Sequence, residues 1–379
     1  TFSDVTQQIG LFSGVGPIAN LSSRFIDMDG DHYPELLLVG DFQGVNGHVG
    51  SRYFKNNTNG TFTDMTRASD TGDEENGMGH CVGDFDNDGL MDWYVTSIFF
   101  PTIGWTGNKL YRNLGSHDFV EGSESAGCND GGYGWGAVAV DFDHDGFLDI
   151  AETNGDGSSS GSFSDEQSYL FMSDGRSGSF TENALDSGVN HTGPGRSLLN
   201  LDYDNDGDQD LLIIANGEPV RLYRNNITDE PNTNWLRVFL EDGGVHGIAP
   251  SGYGTKVRVT VGSTSMTRSI DGGTTFLGIC ELSAHFGLGS ATVVDALRVE
   301  WPHGSVTELF DIAVNQTLTI NAGATPCPAD LDGDGLVNGA DLGLLLIGWN
   351  AGGLSDINGD GTTNGADMGL MLVAWGDCP

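Results

Sequence analysis

Aspartate occupies positions one, three, five and nine of three nine-residue stretches: DFDNDGLMD from Asp84, DFDHDGFLD from Asp141 and DYDNDGDQD from Asp202. When such a stretch wraps tightly, carboxylates at positions one, three and five point inward. Position seven offers a backbone carbonyl, and the carboxylate at nine closes the shell. Glycine at position six permits the positive φ that the wrap needs. An all-oxygen cage suits a hard cation of flexible geometry, Ca²⁺ ahead of Mg²⁺. The expected ligands are Asp84, Asp86, Asp88, Leu90 (carbonyl) and Asp92; Asp141, Asp143, Asp145, Phe147 (carbonyl) and Asp149; and Asp202, Asp204, Asp206, Asp208 (carbonyl) and Asp210. A fourth stretch, DMDGDHYPE from Asp27, keeps Asp27, Asp29 and Asp31. It has Tyr33 at seven, His32 at the glycine position and Glu35 last, and is expected to bind most weakly. Plain acidic turns are the bland alternative, but four copies at near-equal spacing argue against it. An acid–base reading fares worse, because catalytic carboxylate pairs need different environments whereas these cluster around one point.

The C-terminus repeats the theme with a helix attached. DLDGDGLVNGAD from Asp330 and DINGDGTTNGAD from Asp356 lie 26 residues apart. Both fit the twelve-residue EF-type loop, with ligands Asp330, Asp332, Asp334, Leu336 (carbonyl), Asn338 and Asp341, then Asp356, Asn358, Asp360, Thr362 (carbonyl), Asn364 and Asp367. Each loop runs into a short helix with apolar residues at i, i+3, i+4 and i+7: Leu342, Leu345, Leu346 and Trp349, then Met368, Met371, Leu372 and Trp375. These stripes are expected to form the mutual core of the module, with any partner surface at its rims.

The four Asp loops belong to a longer repeat. Each unit begins with a Phe-polar-acidic phrase, at Phe2, Phe62, Phe119 and Phe180. An apolar run follows the loop, and most units close with an aromatic-basic-Asn phrase (YFKNN, LYRN, LYRN) that LFMS at Leu170 replaces in the third. The first aspartates stand 57, 57 and 61 residues apart. Such a period, with about four short strands per unit, predicts propeller blades that must stack to bury both faces. Four blades are countable, and what closes the ring stays open. Past residue 234 the pattern turns to period-two strands (WLRVFLE, TKVRVTV, ALRVEW), which predicts a separate β-sandwich-like domain over 235–321. The expected organisation is 1–234 repeats, 235–321 β domain and 326–379 terminal module: a mostly β protein with a small helical end.

Charge agrees with cation binding. Against 54 acidic residues stand 15 basic ones, a net charge of −39. Nucleic acid is therefore a poor partner. The proposed cages use 23 of the 54 acids, and about six Ca²⁺ would bring −39 to −27. No apolar run is long enough to span a membrane, and a start at Thr1 reads as a processed, exported chain. The five cysteines form no CxxC pair. Cys327 and Cys378 flank the terminal module, where a disulfide is expected; Cys81 with Cys128 is a lesser pairing, and Cys280 reads as a buried thiol.

The repeat, clearest in GGYGWGAVAVDFDHDGFLD, resembles FG-GAP/VCBS calcium-binding propeller repeats. SGYGTKVRVTV, HFGLG at His285 and ALRVEWPHG at Ala296 resemble the ASPIC/UnbV domain that follows such repeats in cartilage-acidic-protein-like families. The terminal module resembles a type I dockerin. These resemblances imply a secreted, non-enzymatic protein of extracellular adhesion or surface assembly, with a cohesin-like partner or a neighbouring copy docking on the terminal module, and with glycans as a further class of ligand. Loop positions ten and eleven, which carry dockerin recognition, are Gly339, Ala340, Gly365 and Ala366; they depart from the family's hydroxyl-bearing pairs but match each other.

Catalytic machinery is thin. No GxSxG elbow or HExxH is present, and His80, His144 and His285 read as packing or turn residues. Three functions stay in play: a calcium-stabilised adhesion or scaffold component, a subunit of an extracellular filament or sheath, and a carbohydrate-active (lyase-like) propeller enzyme. The third requires a basic or aromatic catalytic cluster that the sequence does not nominate.

Overall fold

The computed structural model describes all residues except 1, 12–18, 42–49, 74, 75, 158–160, 176, 177, 244, 246, 247, 274, 324–328, 333–335, 354, 359, 378 and 379. The chain is mostly β, 41% strand against 9% helix, and among the described residues no sheet closes into a barrel. It divides into two compact units: Thr1–Phe239 with Ser251–Leu318, and Leu240–Pro250 with Thr319–Pro379.

In the first unit the repeats fold as four consecutive antiparallel sheets. The first holds β1 (Ala19–Ile26), β2 (Glu35–Asp41), β3 (Arg52–Asn56) and β4 (Phe62–Asp64). The second holds β5 (His80–Gly83), β6 (Asp92–Val95), β9 (Lys109–Asn113) and β10 (Phe119–Glu121). A side hairpin, β7 (Phe99–Phe100) and β8 (Trp105–Thr106), interrupts it, and a one-turn helix, α1 (Ser123–Ala126), follows it. The third holds β11 (Gly134–Val140), β12 (Asp149–Asn154), β13 (Tyr169–Ser173) and β14 (Phe180–Glu182). Three strands make the fourth: β15 (Gly195–Leu201), β16 (Asp210–Ala215) and β17 (Arg221–Tyr223).

Each Asp loop joins the first strand of a sheet to the second, and the apolar run after it is that second strand. One boundary differs from expectation. The phrases at Phe62, Phe119 and Phe180 do not open a repeat; they form the outermost strand of the sheet before it. A repeating string has no intrinsic start, so only the pairing fixes where a unit ends.

Neighbouring sheets bury their apolar faces against each other. Ile26, Leu37, Val39 and Tyr53 pack on Val82, Trp93, Val95 and Tyr111. Cys81, Phe85 and Tyr94 pack on Ala137, Ile150 and Phe171, and Val138, Ala151 and Leu170 on Leu198, Leu211 and Ile213. Cys81, Cys128 and Cys280 are thiols; the lesser expectation of a Cys81–Cys128 bond is corrected, since burial in one apolar core, rather than a bond, accounts for both. Cys327 and Cys378 lie outside the described residues.

The rest of this unit is a second β region. β18 (Asn234–Glu241) pairs with β21 (Ser283–Gly289), and β19 (Thr255–Val261), β20 (Thr264–Ile270), β22 (Val293–Glu300) and β23 (Val306–Ala313) form a sheet in the order β20-β19-β22-β23. Alternation works as expected here: in TKVRVTV the valines 257 and 259 are buried and alternate with half-buried Lys256, Arg258 and Thr260.

The segment 271–282 between β20 and β21 leaves this region and lies along the first strands of the first and fourth repeat sheets. Asp271 takes a bidentate ion pair from Arg24 of β1, with Nε 3.0 Å from Oδ2. Thr275 meets Ser197 of β15 at 3.0 Å, the Glu281 N–H donates to the Asn200 carbonyl, and the Phe276 ring stands 5.0 Å from that of Trp135. Gly278 sits so close to Leu199 and Ser197 that a Cβ there would meet them at 2.4 and 2.6 Å. A polar cavity of about 90 Å³, lined by Arg24, Cys81, Asn200, Arg268, Asp271 and Cys280 among others, lies between these first strands and the segment.

β24 (Gln316–Asn321) runs from the first unit into the second, which holds two nine-residue helices, α2 (Gly339–Ile347) and α3 (Gly365–Val373), with a short pair, β25 (Leu336–Val337) and β26 (Gly376–Asp377), beside them. Asn338 and Asn364 cap the helices through their side chains, and Asp341 and Asp367 complete reciprocal capping boxes. The expected mutual core is smaller than the stripes implied. Leu345 and Met371 are fully buried and Leu342 and Met368 partly so, whereas Leu346, Trp349, Leu372 and Trp375 are exposed. Two helices of under three turns touch along one edge, which covers one residue per turn and leaves the flank open.

Candidate metal centres

All four Asp loops take one backbone path. Position six is left-handed, with φ +92° at Gly89, +96° at Gly146 and +98° at Gly207. Position four is left-handed too, at Asn87, His144 and Asn205. The first loop reverses the residue types, with Gly30 at four and His32 at six, and keeps both positive φ values. That second left-handed position was not anticipated; its signal was an asparagine, histidine or glycine in every copy.

The wrap collects oxygens. Ligand atoms of Asp27, Asp29 and Asp31 lie within 4.8 Å of one another, as do those of Asp84, Asp86 and Asp88, those of Asp202, Asp204 and Asp206, and those of Asp141, Asp143 and Asp149. Asp29 and Glu35 also group with His117 of the second repeat, whose Nε2 is 3.1 Å from Asp29 and whose Nδ1 is 2.7 Å from the Tyr53 hydroxyl. The carboxylate at position nine has a further task. In every loop one of its oxygens accepts the N–H of position two, from Met28, Phe85, Phe142 or Tyr203, and the other accepts an N–H at the end of the third strand, from Asn56, Asn113, Ser173 or Asn225. Position nine therefore clips the loop to its sheet.

Burial without full compensation pushes these carboxyls upward: Asp84 and Asp210 to about 6, Asp141, Asp145 and Glu35 to about 7, Asp92 to about 8, and Asp149 well above the carboxylate range. Desolvation is the leading cause, and neighbouring aspartates add to it in most of these loops. Part of the charge meets arginine or lysine: Arg112 on Asp86 at 3.0 Å, Arg224 on Asp204 and Asp206 at 2.9 Å, Arg237 on Asp202 at 2.8 Å, and Lys256 on Asp27 at 3.1 Å. The third loop has the least relief. Arg268 is its cationic neighbour, and Asp141 Oδ1 is buried without a hydrogen-bond partner. A hard cation with oxygen ligands fits this donor set: it supplies the missing charge and a partner for the orphaned oxygen.

β21 explains the HFGLG phrase. Gly287 N–H donates to Asp141 Oδ2 at 2.9 Å, Gly289 N–H to the His144 carbonyl at 2.8 Å, and His285 Nε2 meets the Gly207 carbonyl at 2.9 Å. The second β region thus docks onto the third and fourth Asp loops through backbone, and a Cβ at position 287 would come within 2.3 Å of Asp141 Oδ2.

In the terminal module, Asp356 accepts the N–H groups of Asp360 and Gly361, and Gly361 has φ +92°. Asp341 and Asp367 accept backbone N–H groups from both ends of their loops. Asp334 lies outside the described residues.

The same pattern is found in known families. Residues 27–95 match the FG-GAP-like repeat. Residues 247–326 match the ASPIC and UnbV family. Cartilage acidic protein 1 of Xenopus tropicalis is 28% identical over 330 residues, covering 80% of this chain and 44% of that protein. The human protein of the same name is 29% identical over 306 residues, with 77% and 40% covered. This chain thus spans less than half the length of these relatives. A solved structure, the Vibrio cholerae biofilm matrix protein Bap1, aligns with 80% of this chain and 61% of its own at 11% identity and a TM-score of 0.32. No helix among the described residues is long and apolar enough to cross a membrane.

Proposed function

We propose that this chain is a secreted, calcium-stabilised, non-catalytic adhesion or scaffold component, with an FG-GAP/VCBS-type propeller, an ASPIC/UnbV domain and a dockerin-like calcium module. The observation that carries the reading is the third Asp loop, where Asp141, Asp143 and Asp149 converge and a buried oxygen has no partner. Calcium there, in the three sister loops and in the two terminal loops makes about six structural ions. The relatives' name, cartilage acidic protein, agrees with an acidic chain acting outside cells. Elemental analysis of the purified chain, with melting curves before and after calcium removal, tests it. About six Ca²⁺ per chain and a clear loss of Tm on removal are expected; a calcium-free chain with an unchanged Tm would discard the proposal.

Assembly through the terminal module is favoured by a specific feature. Leu344, Leu346, Ile347 and Trp349 are exposed on or just after α2, and Leu370, Leu372, Val373 and Trp375 are exposed at the equivalent places 26 residues on. Two matching apolar flanks suit a cohesin-like partner or a neighbouring copy. The double change Ile347→Glu and Val373→Glu should abolish calcium-dependent association in light scattering while leaving Tm within about 1 °C, since both side chains are already solvated.

A further inference from the structure

Between the third and fourth Asp loops and β21 lie three side chains that the calcium reading does not use. His144 sits at position four of its loop, Asp208 at position seven of the next, and His285 in β21. Their exposures are 0%, 0% and 8%. Each has one polar atom fixed by an outer hydrogen bond. His144 Nδ1 meets the Thr233 carbonyl at 2.9 Å, His285 Nε2 meets the Gly207 carbonyl at 2.9 Å, and Asp208 Oδ2 accepts from the Thr228 N–H and hydroxyl at 3.1 Å. A carbonyl can only accept, so these bonds put the proton on His144 Nδ1 and His285 Nε2. The other nitrogen of each ring is left as a lone pair.

The remaining three atoms, His144 Nε2, His285 Nδ1 and Asp208 Oδ1, are buried and have no hydrogen-bond partner among the described residues. His144 Nε2 stands 3.9 Å from Asp208 Oδ1, and the two imidazole rings are 5.0 Å apart between centres. Two donors each about 2 Å from a shared ion stand roughly 3.3–4 Å apart, so the 3.9 Å between His144 Nε2 and Asp208 Oδ1 falls within the reach of one metal, and the His285 ring lies beside them. Imidazoles that donate their second nitrogen to a backbone carbonyl, beside a carboxylate held by its other oxygen, are what an outer shell around a metal provides. Trp235 stacks over His285 and lies against Gly207.

We propose that His144, His285 and Asp208 bind a divalent transition metal of borderline softness, with Zn²⁺ the best match to two nitrogens and one oxygen. The side chain of Asp208 serves this ion, while its backbone carbonyl remains available to the neighbouring calcium loop. The metal would pin β21 to two repeat sheets at once.

The test uses the full chain, stripped of metal, returned to about 5 mM Ca²⁺, exposed to one equivalent of Zn²⁺ and desalted in the same calcium buffer. One zinc per chain should be retained, and X-ray absorption at the zinc edge should show two imidazoles. His285→Gln and Asp208→Asn should each weaken zinc binding about 100-fold or more, and His285→Gln, which is no calcium ligand, should do so with calcium content unchanged. Zinc that washes out in calcium, a spectrum without imidazole, or equal retention by both variants would each overturn the site. The spectrum needs no variant, so the result stands even if a substitution impairs folding. Calcium counted in the same samples separates this proposal from the calcium one.

Discussion

Asp84, Asp92 and Asp141 are each pushed up by burial, to about 6, 8 and 7, while in the unfolded chain they return to about 3.8. Between those values the folded, calcium-free chain binds more protons than the unfolded one, so its stability falls as pH rises. With calcium present the carboxylates must be ionised, and stability is gained with pH instead. Melting the calcium-free chain at about pH 5.5 and about pH 8 should give the higher Tm at the lower pH, and saturating calcium should reverse the order. A calcium-free Tm that climbs toward pH 8 would contradict the uncompensated burial. Gly287 offers a second check. Alanine there pushes a methyl into Asp141 and the His144 backbone, which should cost about 1–3 kcal/mol in urea unfolding and weaken calcium at the third loop. Residues of this kind divide by legibility. The ligand positions of the Asp loops are a local pattern and can be read directly. Position nine as a clip, and His285 as a contact of Gly207, depend on partners 15 to 78 residues away, which no spacing rule reveals.

At the level of elements, strands were legible wherever burial alternates or runs continuously, as in β2, β6 and β19. The helices were legible in position but not in packing: periodicity marked one stripe on each, and only short contact lengths leave Leu346 and Trp375 in solvent. The segment 271–282 carried no signal at all, because its sequence, DGGTTFLGICEL, has neither an Asp loop nor a period. Its anchor is the buried Arg24–Asp271 pair. Removing one partner leaves the other charge stranded, so Asp271→Ala should lose about 3–5 kcal/mol by urea unfolding. Arg24→Met with Asp271→Leu should recover most of that loss. If the single variant unfolds at the wild-type urea midpoint, the pair does not hold the segment.

For the whole molecule, a net charge of −39 makes self-repulsion a bulk property. Raising salt from about 0.05 to about 0.5 M shortens the screening length from roughly 14 to 4 Å, and should lift the Tm of the calcium-free chain more than that of the calcium-loaded chain. Equal shifts would mean that the acids repel no less once calcium is bound. The Arg24–Asp271 link has another consequence, this time in time rather than space. Its partners are 247 residues apart, so a ribosome making the chain at about 5–20 residues per second exposes the first repeat sheet for roughly 12–50 seconds before its mate emerges. The newborn first sheet must wait for a latch encoded 247 residues downstream.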